Sequence, residues 1–249
     1  MIKIQDKIYQ NPKAILLDKD GTLVEIEALH LPLMERRAQT IAELAGVPVN
    51  SHIIRSWGIN PITRTMDIRG PFMMAAKEEE KIVATVALYQ QGLDWSQARS
   101  IVEKAYEVDE SATNPANWNQ PIENVIAFIK AANKFGIQLG IVTGDTTLRA
   151  IEACETLGVK DKMSHILGVD QVRNDKPSPD LVLEFCKRAR LEANEVAIIG
   201  DSIKDMQMAK QAGAKLAIAL ESGVTSADEF IGVADHIIQN FSEIEFIQE

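Results

Sequence analysis

Features that would point to other classes of protein are scarce or missing in this chain of 249 residues. It has only two cysteines, Cys154 and Cys186, which excludes a dense disulfide framework and predicts free thiols in a reducing compartment. No stretch is apolar for long enough to predict a membrane helix, and the N-terminal sequence MIKIQDKIYQ lacks the apolar stretch of a signal peptide. Internal repeats and low-complexity tracts are also missing. We therefore expect a cytoplasmic protein without a membrane partner.

Positive charge is also in the minority. The chain has 26 lysines and arginines against 36 aspartates and glutamates, a formal net charge of -10. This excess argues against a broad nucleic-acid-binding surface. The hydrophobic share of 46% and the charged share of 25% are those of an ordinary globular protein. The length suits one sizeable domain, or a core domain with a smaller partner.

The order of apolar runs predicts a parallel sheet. AILL at 14–17 is a short apolar run that ends at the turn-forming sequence DKDGT. Beyond position 121, helical patterns alternate with the strand-like runs IQLGIVT, VAIIG, KLAIAL and HIIQ. A repeated helix–strand order is typical of an α/β fold. We expect a Rossmann-like parallel sheet with helices on both faces.

A helical segment interrupts this alternation. Three stretches have helical patterns: 31–46, 71–92 and 96–110. Ser96 is a candidate N-cap for the third, and the turn-rich segment 111–121 is the expected return linker. We therefore predict a catalytic core formed by 1–24 and 115–249, with an inserted α-helical domain at 25–114.

Four short motifs carry the residues with chemical potential. They are ILLDKDGTLV at 15–24, LGIVTGD at 139–145, NDKPSPD at 174–180 and VAIIGDSIKDM at 196–206. Three are apolar runs that end in polar residues, and the ligands of a parallel α/β sheet bind outside the carboxyl ends of its strands. The residues expected to meet in one site are Asp18, Asp20, Thr143, Lys176, Asp201 and Asp205.

The first motif holds a pair of carboxylates. In an extended strand Asp18 and Asp20 face one way and Lys19 the other. Two carboxylates this close repel each other, and a proton or a cation relieves the repulsion. One can attack a phosphorus atom while the other donates a proton to the leaving oxygen. Gly21 and Thr22 turn the chain and leave N–H groups available to phosphate oxygens.

The other motifs add ligands and a counter-charge. Asp201 and Asp205 stand four residues apart, a spacing that brings both to one side of an opening helical turn. Oxygen ligands without histidine or cysteine suit Mg²⁺, not zinc. The Thr143 hydroxyl and amides near Gly144 can hold a phosphoryl oxygen, and the following proline keeps Lys176 extended. The set indicates phosphoryl transfer through an aspartyl-phosphate.

On these motifs the chain resembles the phosphatases of the haloacid dehalogenase (HAD) superfamily over essentially its whole length. The family order of DxDGT, strand-end Thr or Ser, Lys and GDSxxD is met by DKDGT, VTGD, the Lys176 segment and GDSIKD. The resemblance implies that Asp18 is the nucleophile and a Mg²⁺ ligand. It implies that Asp20 is the general acid/base and a metal ligand through its main-chain carbonyl.

The resemblance extends to the remaining site residues and to the insert. It implies that Thr143 and Lys176 bind phosphate, and that Asp201 and Asp205 serve the metal. The insert between the first two motifs resembles a C1 cap, a helical lid, as in phosphoglycolate phosphatase and β-phosphoglucomutase. The implied activity is Mg²⁺-dependent hydrolysis of a small phosphomonoester such as phosphoglycolate. A phosphomutase of the β-phosphoglucomutase type, and a non-catalytic phosphate-binding or regulatory protein, stay open.

Charged residues of the insert divide into two groups. Arg64 and Arg69 are candidates for binding a second anionic group of the substrate. Arg36 and Arg37 lie on an amphipathic helix and are expected to be surface charges. The EEEK run at 78–81 is expected to be a solvated helix face.

Overall fold

The computed structural model describes a chain of two compact units. The described residues are 1–67, 69–112, 119–222 and 225–248. One unit comprises Met1–Ile26 and Asn119–Glu249, and the other comprises Glu27–Trp118. The predicted domain boundaries stay a prediction, and the second, at 114/115, lies outside the described residues.

Strands and helices of the described residues are numbered in chain order. The strands are β1 (Ile2–Ile4), β2 (Lys7–Tyr9), β3 (Ala14–Leu17), β4 (Gln138–Val142), β5 (Met163–Leu167), β6 (Val196–Gly200), β7 (Leu216–Leu220), β8 (His236–Ile238) and β9 (Ile244–Phe246). The α-helices are α1 (Ile26–Ala45), α2 (Asn50–Ser56), α3 (Pro71–Met74), α4 (Lys77–Gln90), α5 (Trp95–Ala112), α6 (Val125–Lys134), α7 (Thr147–Thr156), α8 (Asp180–Ala189), α9 (Ile203–Ala212) and α10 (Ala227–Phe230).

A six-stranded parallel sheet is the framework of the first unit. Its order is β5-β4-β3-β6-β7-β8, and every neighbouring pair is parallel. The apolar strand β3 therefore lies in the middle, between β4 and β6. A smaller antiparallel sheet of order β2-β1-β9 joins the two ends of the chain. The predicted α/β fold with a parallel sheet is confirmed.

Helices cover both faces of the large sheet, because successive side chains of a strand point to opposite faces. Ile15 and Leu17 belong to an apolar cluster that includes residues of α6 and α7. Ala14 and Leu16 belong to a second cluster that includes residues of α8 and α9. Both cysteines are buried free thiols, as predicted. None of the helices in the described part of the chain combines the length and apolarity needed to span a bilayer.

The second unit consists of helices α1 to α5 as described, with a buried apolar cluster around Trp57. The prediction of one helix over 71–92 is wrong, since α3 and α4 are separated by extended backbone at Ala75 and Ala76. Ser96 is not the N-cap of α5. Asp94 is the N-cap instead, because its Oδ1 atom accepts a hydrogen bond from the Gln97 N–H at 3.0 Å.

Two charged residues of this unit are buried, against the prediction that they are solvated. Arg37 is 7% exposed and Glu80 is 9% exposed. Arg37 Nη1 lies 3.6 Å from Glu80 Oε2, and the guanidinium carbon lies 4.1 Å from the centre of the Tyr106 ring. The Tyr106 hydroxyl donates to Glu80 Oε2 at 3.3 Å. Burial raises the pKa of Glu80, and the Arg37 charge opposes that rise.

Replacing Arg37 by methionine is expected to lower the free energy of unfolding by about 3 kcal/mol, because Glu80 then loses a buried counter-charge. Trp57 and Trp95 lie in this unit, so urea unfolding followed by tryptophan fluorescence reports on it. Arg36→Met on the same helix is the matched control, since Arg36 is exposed. Equal losses for the two variants would contradict a special role for the buried pair.

Candidate active site

Three of the predicted site residues lie directly after central strands of the parallel sheet. Asp18 follows β3, and its N–H donates to the Ile199 carbonyl of β6 at 3.0 Å. Asp201 directly follows β6, and Thr143 directly follows β4. Because β3 lies between β4 and β6, these three residues follow neighbouring parallel strands and lie together at the carboxyl ends of those strands.

Three carboxylates and one ammonium group form the centre of the site. Carboxylate oxygens of Asp18, Asp201 and Asp205 lie within 4.8 Å of one another. Lys176 Nζ lies 2.7 Å from Asp18 Oδ1 and 2.7 Å from Asp205 Oδ1. The Lys176 side chain is 7% exposed and the Asp205 side chain is fully buried. One buried cation therefore pairs with two of the three carboxylates.

The start of α9 fixes the orientation of Asp205. Its Oδ2 atom accepts hydrogen bonds from the N–H and hydroxyl of Ser202, at 3.1 and 2.5 Å. The Ser202 hydroxyl oxygen accepts in turn from the Asp205 N–H at 3.3 Å, which completes a reciprocal capping box. The sequence GDSIKD therefore begins a helix and at the same time aims Asp205 Oδ1 at Lys176.

Burial of like charges perturbs the site's protonation. Burial raises the pKa of Asp18 to about 7, with Lys176 opposing and Asp205 adding to the rise. Burial raises the pKa of Asp201 well above its ordinary value, and the negative charges of Asp18 and Asp205 add to this rise. Burial lowers the pKa of Lys176, but the two carboxylates raise it more, so the ammonium stays charged. A divalent cation would neutralise the remaining charge, and the all-oxygen donor set fits Mg²⁺.

A family model of haloacid dehalogenase-like hydrolases matches residues 12–213. The chain belongs to the haloacid dehalogenase-like hydrolases. That span contains all four motifs and the helical insert between the first two.

Relatives of this hydrolase agree over most of its length. It is 24% identical over 243 residues to a protein named probable phosphatase IndB from Dickeya dadantii, covering 92% of this chain and 90% of that protein. It is 26% identical over 240 residues to a phosphoglycolate phosphatase from Chromobacterium violaceum, covering 93% of this chain and 94% of that protein. The fold is similar to that of a HAD-superfamily hydrolase, subfamily IA, from Geobacter sulfurreducens. The two share a TM-score of 0.63 and 18% identity, over 94% of this chain and 96% of that one.

The first motif approaches Asp201 so closely that only glycine fits at one position. Gly21 has φ +76°, and a Cβ atom there would lie 2.2 Å from Asp201 Oδ2. The neighbouring Thr22 hydroxyl donates to Asp201 Oδ1 at 3.3 Å. The turn of the first motif therefore holds Asp201 in place at the end of β6.

We expect Mg²⁺ to raise the thermal unfolding midpoint of the wild type. In Gly21→Ala this rise should be smaller, because the added methyl group displaces Asp201. Gly213→Ala is the matched control, since Gly213 has φ +74° with nothing within 4 Å of a Cβ. Both variants carry the backbone strain of a left-handed non-glycine residue, about 1 kcal/mol. The same Mg²⁺ shift in both variants would contradict the close approach to Asp201.

Asp20 and Thr143 have partners that sequence reasoning missed. The Lys19 side chain returns toward Asp20, with Nζ 2.6 Å from Asp20 Oδ1 and 3.1 Å from Asp145 Oδ2. Thr143 is 1% exposed, and its hydroxyl oxygen accepts from the Asp145 N–H at 3.1 Å, which leaves its own proton to donate. The sequence did carry a signal for the Lys19 contacts. Lys19 lies in a motif that ends a buried strand, and a buried ammonium group requires partners.

Gly144 lies beside another acidic residue, and the two arginine candidates lie in the second unit. A Cβ at Gly144 would be 3.3 Å from Asp175 Oδ2. Arg64 forms a two-armed ion pair with Glu35, with both contacts at 2.9 Å. Arg69 is exposed. The predicted part of both arginines in substrate binding stays a prediction.

Proposed function

We propose that this protein is a Mg²⁺-dependent phosphatase that hydrolyses a small phosphomonoester through an aspartyl-phosphate on Asp18. The observation that carries the proposal is the pairing of Asp18 with Lys176 inside a cluster of buried carboxylates. This arrangement keeps a nucleophile, a counter-charge and cation ligands within a few ångströms. It supplies the positioning and charge neutralisation on which phosphoryl transfer depends.

The residues that would hold Mg²⁺ are the carboxylates of Asp18 and Asp201, supported by Asp205, and the main-chain carbonyl of Asp20. Bound Mg²⁺ would withdraw negative charge from the phosphoryl oxygens. Lys176 fixes one oxygen of Asp18 and adds its own charge toward the incoming phosphate. The Thr143 hydroxyl donates to a phosphoryl oxygen.

The reaction has two steps. Asp18 attacks the phosphorus atom, the bond from phosphorus to the leaving oxygen breaks, and Asp20 donates its proton to that oxygen. Asp20, now ionised, takes a proton from water, and the water oxygen attacks the phosphorus of the aspartyl-phosphate. The bond between the phosphorus and the Asp18 oxygen breaks, free phosphate leaves, and both aspartates return to their first states.

The substrate we propose is a small phosphorylated metabolite, with phosphoglycolate as the first compound to test. The relative from Chromobacterium violaceum that bears that substrate's name supports the choice. The unit Glu27–Trp118 is the candidate C1 cap, and Arg64 and Arg69 are its candidates for a second anionic group of the substrate. Buried free thiols support action in the cytoplasm.

The test is phosphate release from a panel of small phosphomonoesters, with Mg²⁺ and with a chelator. We expect release that requires Mg²⁺, and the rank order of rates names the substrate class. An isomerised sugar phosphate in place of free phosphate would indicate a phosphomutase. No turnover of any compound by the folded protein with Mg²⁺ would overturn the phosphatase proposal and favour a binding role.

A further inference from the structure

Lys19 is a buried ammonium group held by two carboxylates from different loops. Its side chain is 3% exposed, and it reaches Asp20 Oδ1 at 2.6 Å and Asp145 Oδ2 at 3.1 Å. Burying an ammonium group without partners is strongly unfavourable, so these carboxylate contacts stabilise the buried position of Lys19. Lys19 therefore ties the first-motif loop to the loop that follows β4.

The Asp145 end of this tie is itself held in place. Asp145 Oδ1 accepts from the Thr146 N–H at 2.7 Å at the start of α7. The next residue, Thr147, donates from its N–H and its hydroxyl to Asp170 Oδ1, at 2.6 and 2.9 Å. Gly168 N–H donates to the Thr147 hydroxyl oxygen at 3.0 Å. Two loop segments, 145–147 after β4 and 168–170 after β5, thus support the position of the carboxylate that anchors Lys19.

At the other end, Lys19 engages one oxygen of Asp20 and leaves the other available. Among the residues that the structure describes, the side chain that contacts the Asp20 carboxylate is Lys19, which donates a hydrogen bond to Oδ1. The Asp20 side chain is 31% exposed, far more than Lys19. A carboxylate without a partner samples several rotamers, whereas proton transfer needs one orientation within hydrogen-bond reach of the leaving oxygen.

We propose that Lys19 is a positioning residue that holds the Asp20 carboxylate in the orientation from which it exchanges a proton with the leaving group. This inference rests on the proposed phosphatase function, in which Asp20 is the general acid. Lys19 touches neither phosphate nor leaving group in this account and acts through Asp20 alone. Its loss should therefore harm only those steps that need Asp20.

The test compares two leaving groups in Lys19→Met. Departure of an alkoxide from an alkyl phosphate needs a proton, whereas p-nitrophenolate leaves readily without one. We expect kcat/KM for the best alkyl phosphate of the panel to fall about 10- to 100-fold, the lower range of general acid catalysis. With p-nitrophenyl phosphate we expect kcat/KM to stay within about 3-fold of the wild type, since kcat/KM reports the first transfer step.

Two further variants separate positioning from a general structural role. Lys19→Arg keeps a cation beside Asp20 and should recover part of the lost alkyl-phosphate activity. In an Asp20→Asn background, Lys19→Met should lower kcat/KM less than about 2-fold further, because residues that act as a unit are not additive. The thermal unfolding midpoint of each variant shows that the comparison is made on folded protein.

Three outcomes would overturn the inference. Equal losses with both leaving groups in folded Lys19→Met would assign Lys19 a structural role. A rise in alkyl-phosphate turnover would mean that Lys19 restrains Asp20 in an inactive orientation. Full additivity with Asp20→Asn would show that Lys19 does not act through Asp20. A wild-type protein inactive on both substrates is a separate result, which would overturn the phosphatase proposal on which the inference rests.

Discussion

Asp18→Asn will abolish phosphate release, with turnover lower by at least about 10⁴-fold, a loss of the size seen when a catalytic nucleophile is removed. The amide has nearly the shape of the carboxylate but cannot form the proposed aspartyl-phosphate. The measurement is phosphate release at saturating Mg²⁺ with the best substrate of the panel. Asp161→Asn, a change at an exposed aspartate at the other end of the sheet, is the control and should keep full activity.

The stability of the same variant gives an independent check. Because burial raises the pKa of Asp18 to about 7, its ionised form opposes folding when no cation is bound. At neutral pH with a chelator, Asp18→Asn should therefore unfold at the same temperature as the wild type or higher. This advantage should disappear as the pH falls below the ordinary value of 3.8, where the carboxyl is neutral in both folded and unfolded chains. Residual turnover near the wild-type rate would contradict the assignment of the nucleophile.

Lys176→Met has the second-largest expected effect. It removes the cation that lies 2.7 Å from both Asp18 and Asp205, and so leaves buried carboxylates without their counter-charge. Removing one partner of a buried ion pair costs about 3–5 kcal/mol in the free energy of unfolding. Turnover should also fall by about 10²-fold or more, because the charge that we propose faces the phosphate is lost.

The deficit of Lys176→Met should be smaller with Mg²⁺ than with a chelator, since a bound cation neutralises the same carboxylates. Urea unfolding under both conditions measures this difference. Lys204→Met is the matched control, because Lys204 is exposed on α9 next to Asp205. A Lys176→Met protein as stable as this control in chelator would contradict the view that Lys176 balances the cluster.

The fold was predictable from the sequence where apolar patterning is strong. The runs AILL, QLGIV, VAIIG and LAIAL are nearly continuous because both faces of a central parallel strand are covered. Strand β5, with the sequence MSHIL, was missed because it lies at the sheet edge and includes polar residues. The break between α3 and α4 was missed because Ala75 and Ala76 favour helix in isolation.

The candidate site was predictable because strand ends gather residues that are far apart in the chain. The structure brings Asp18, Lys176, Asp201 and Asp205 together as expected, although their chemical roles stay predictions. Buried charges with distant partners were not predictable in the same way. Lys19 depends on Asp145, which comes from another strand end, and no local pattern records such a pair.

The measurement that tests the central claim most directly is chemical trapping of the phosphoenzyme. Asp20→Asn should slow hydrolysis of the aspartyl-phosphate, so p-nitrophenyl phosphate will leave phosphate on the protein when the reaction is stopped with acid. Borohydride reduction converts an aspartyl-phosphate to homoserine, which peptide mass mapping locates. We predict homoserine at position 18 in a substrate-dependent and Mg²⁺-dependent amount. Trapped phosphate on another residue, or turnover with position 18 unmodified, would contradict the account.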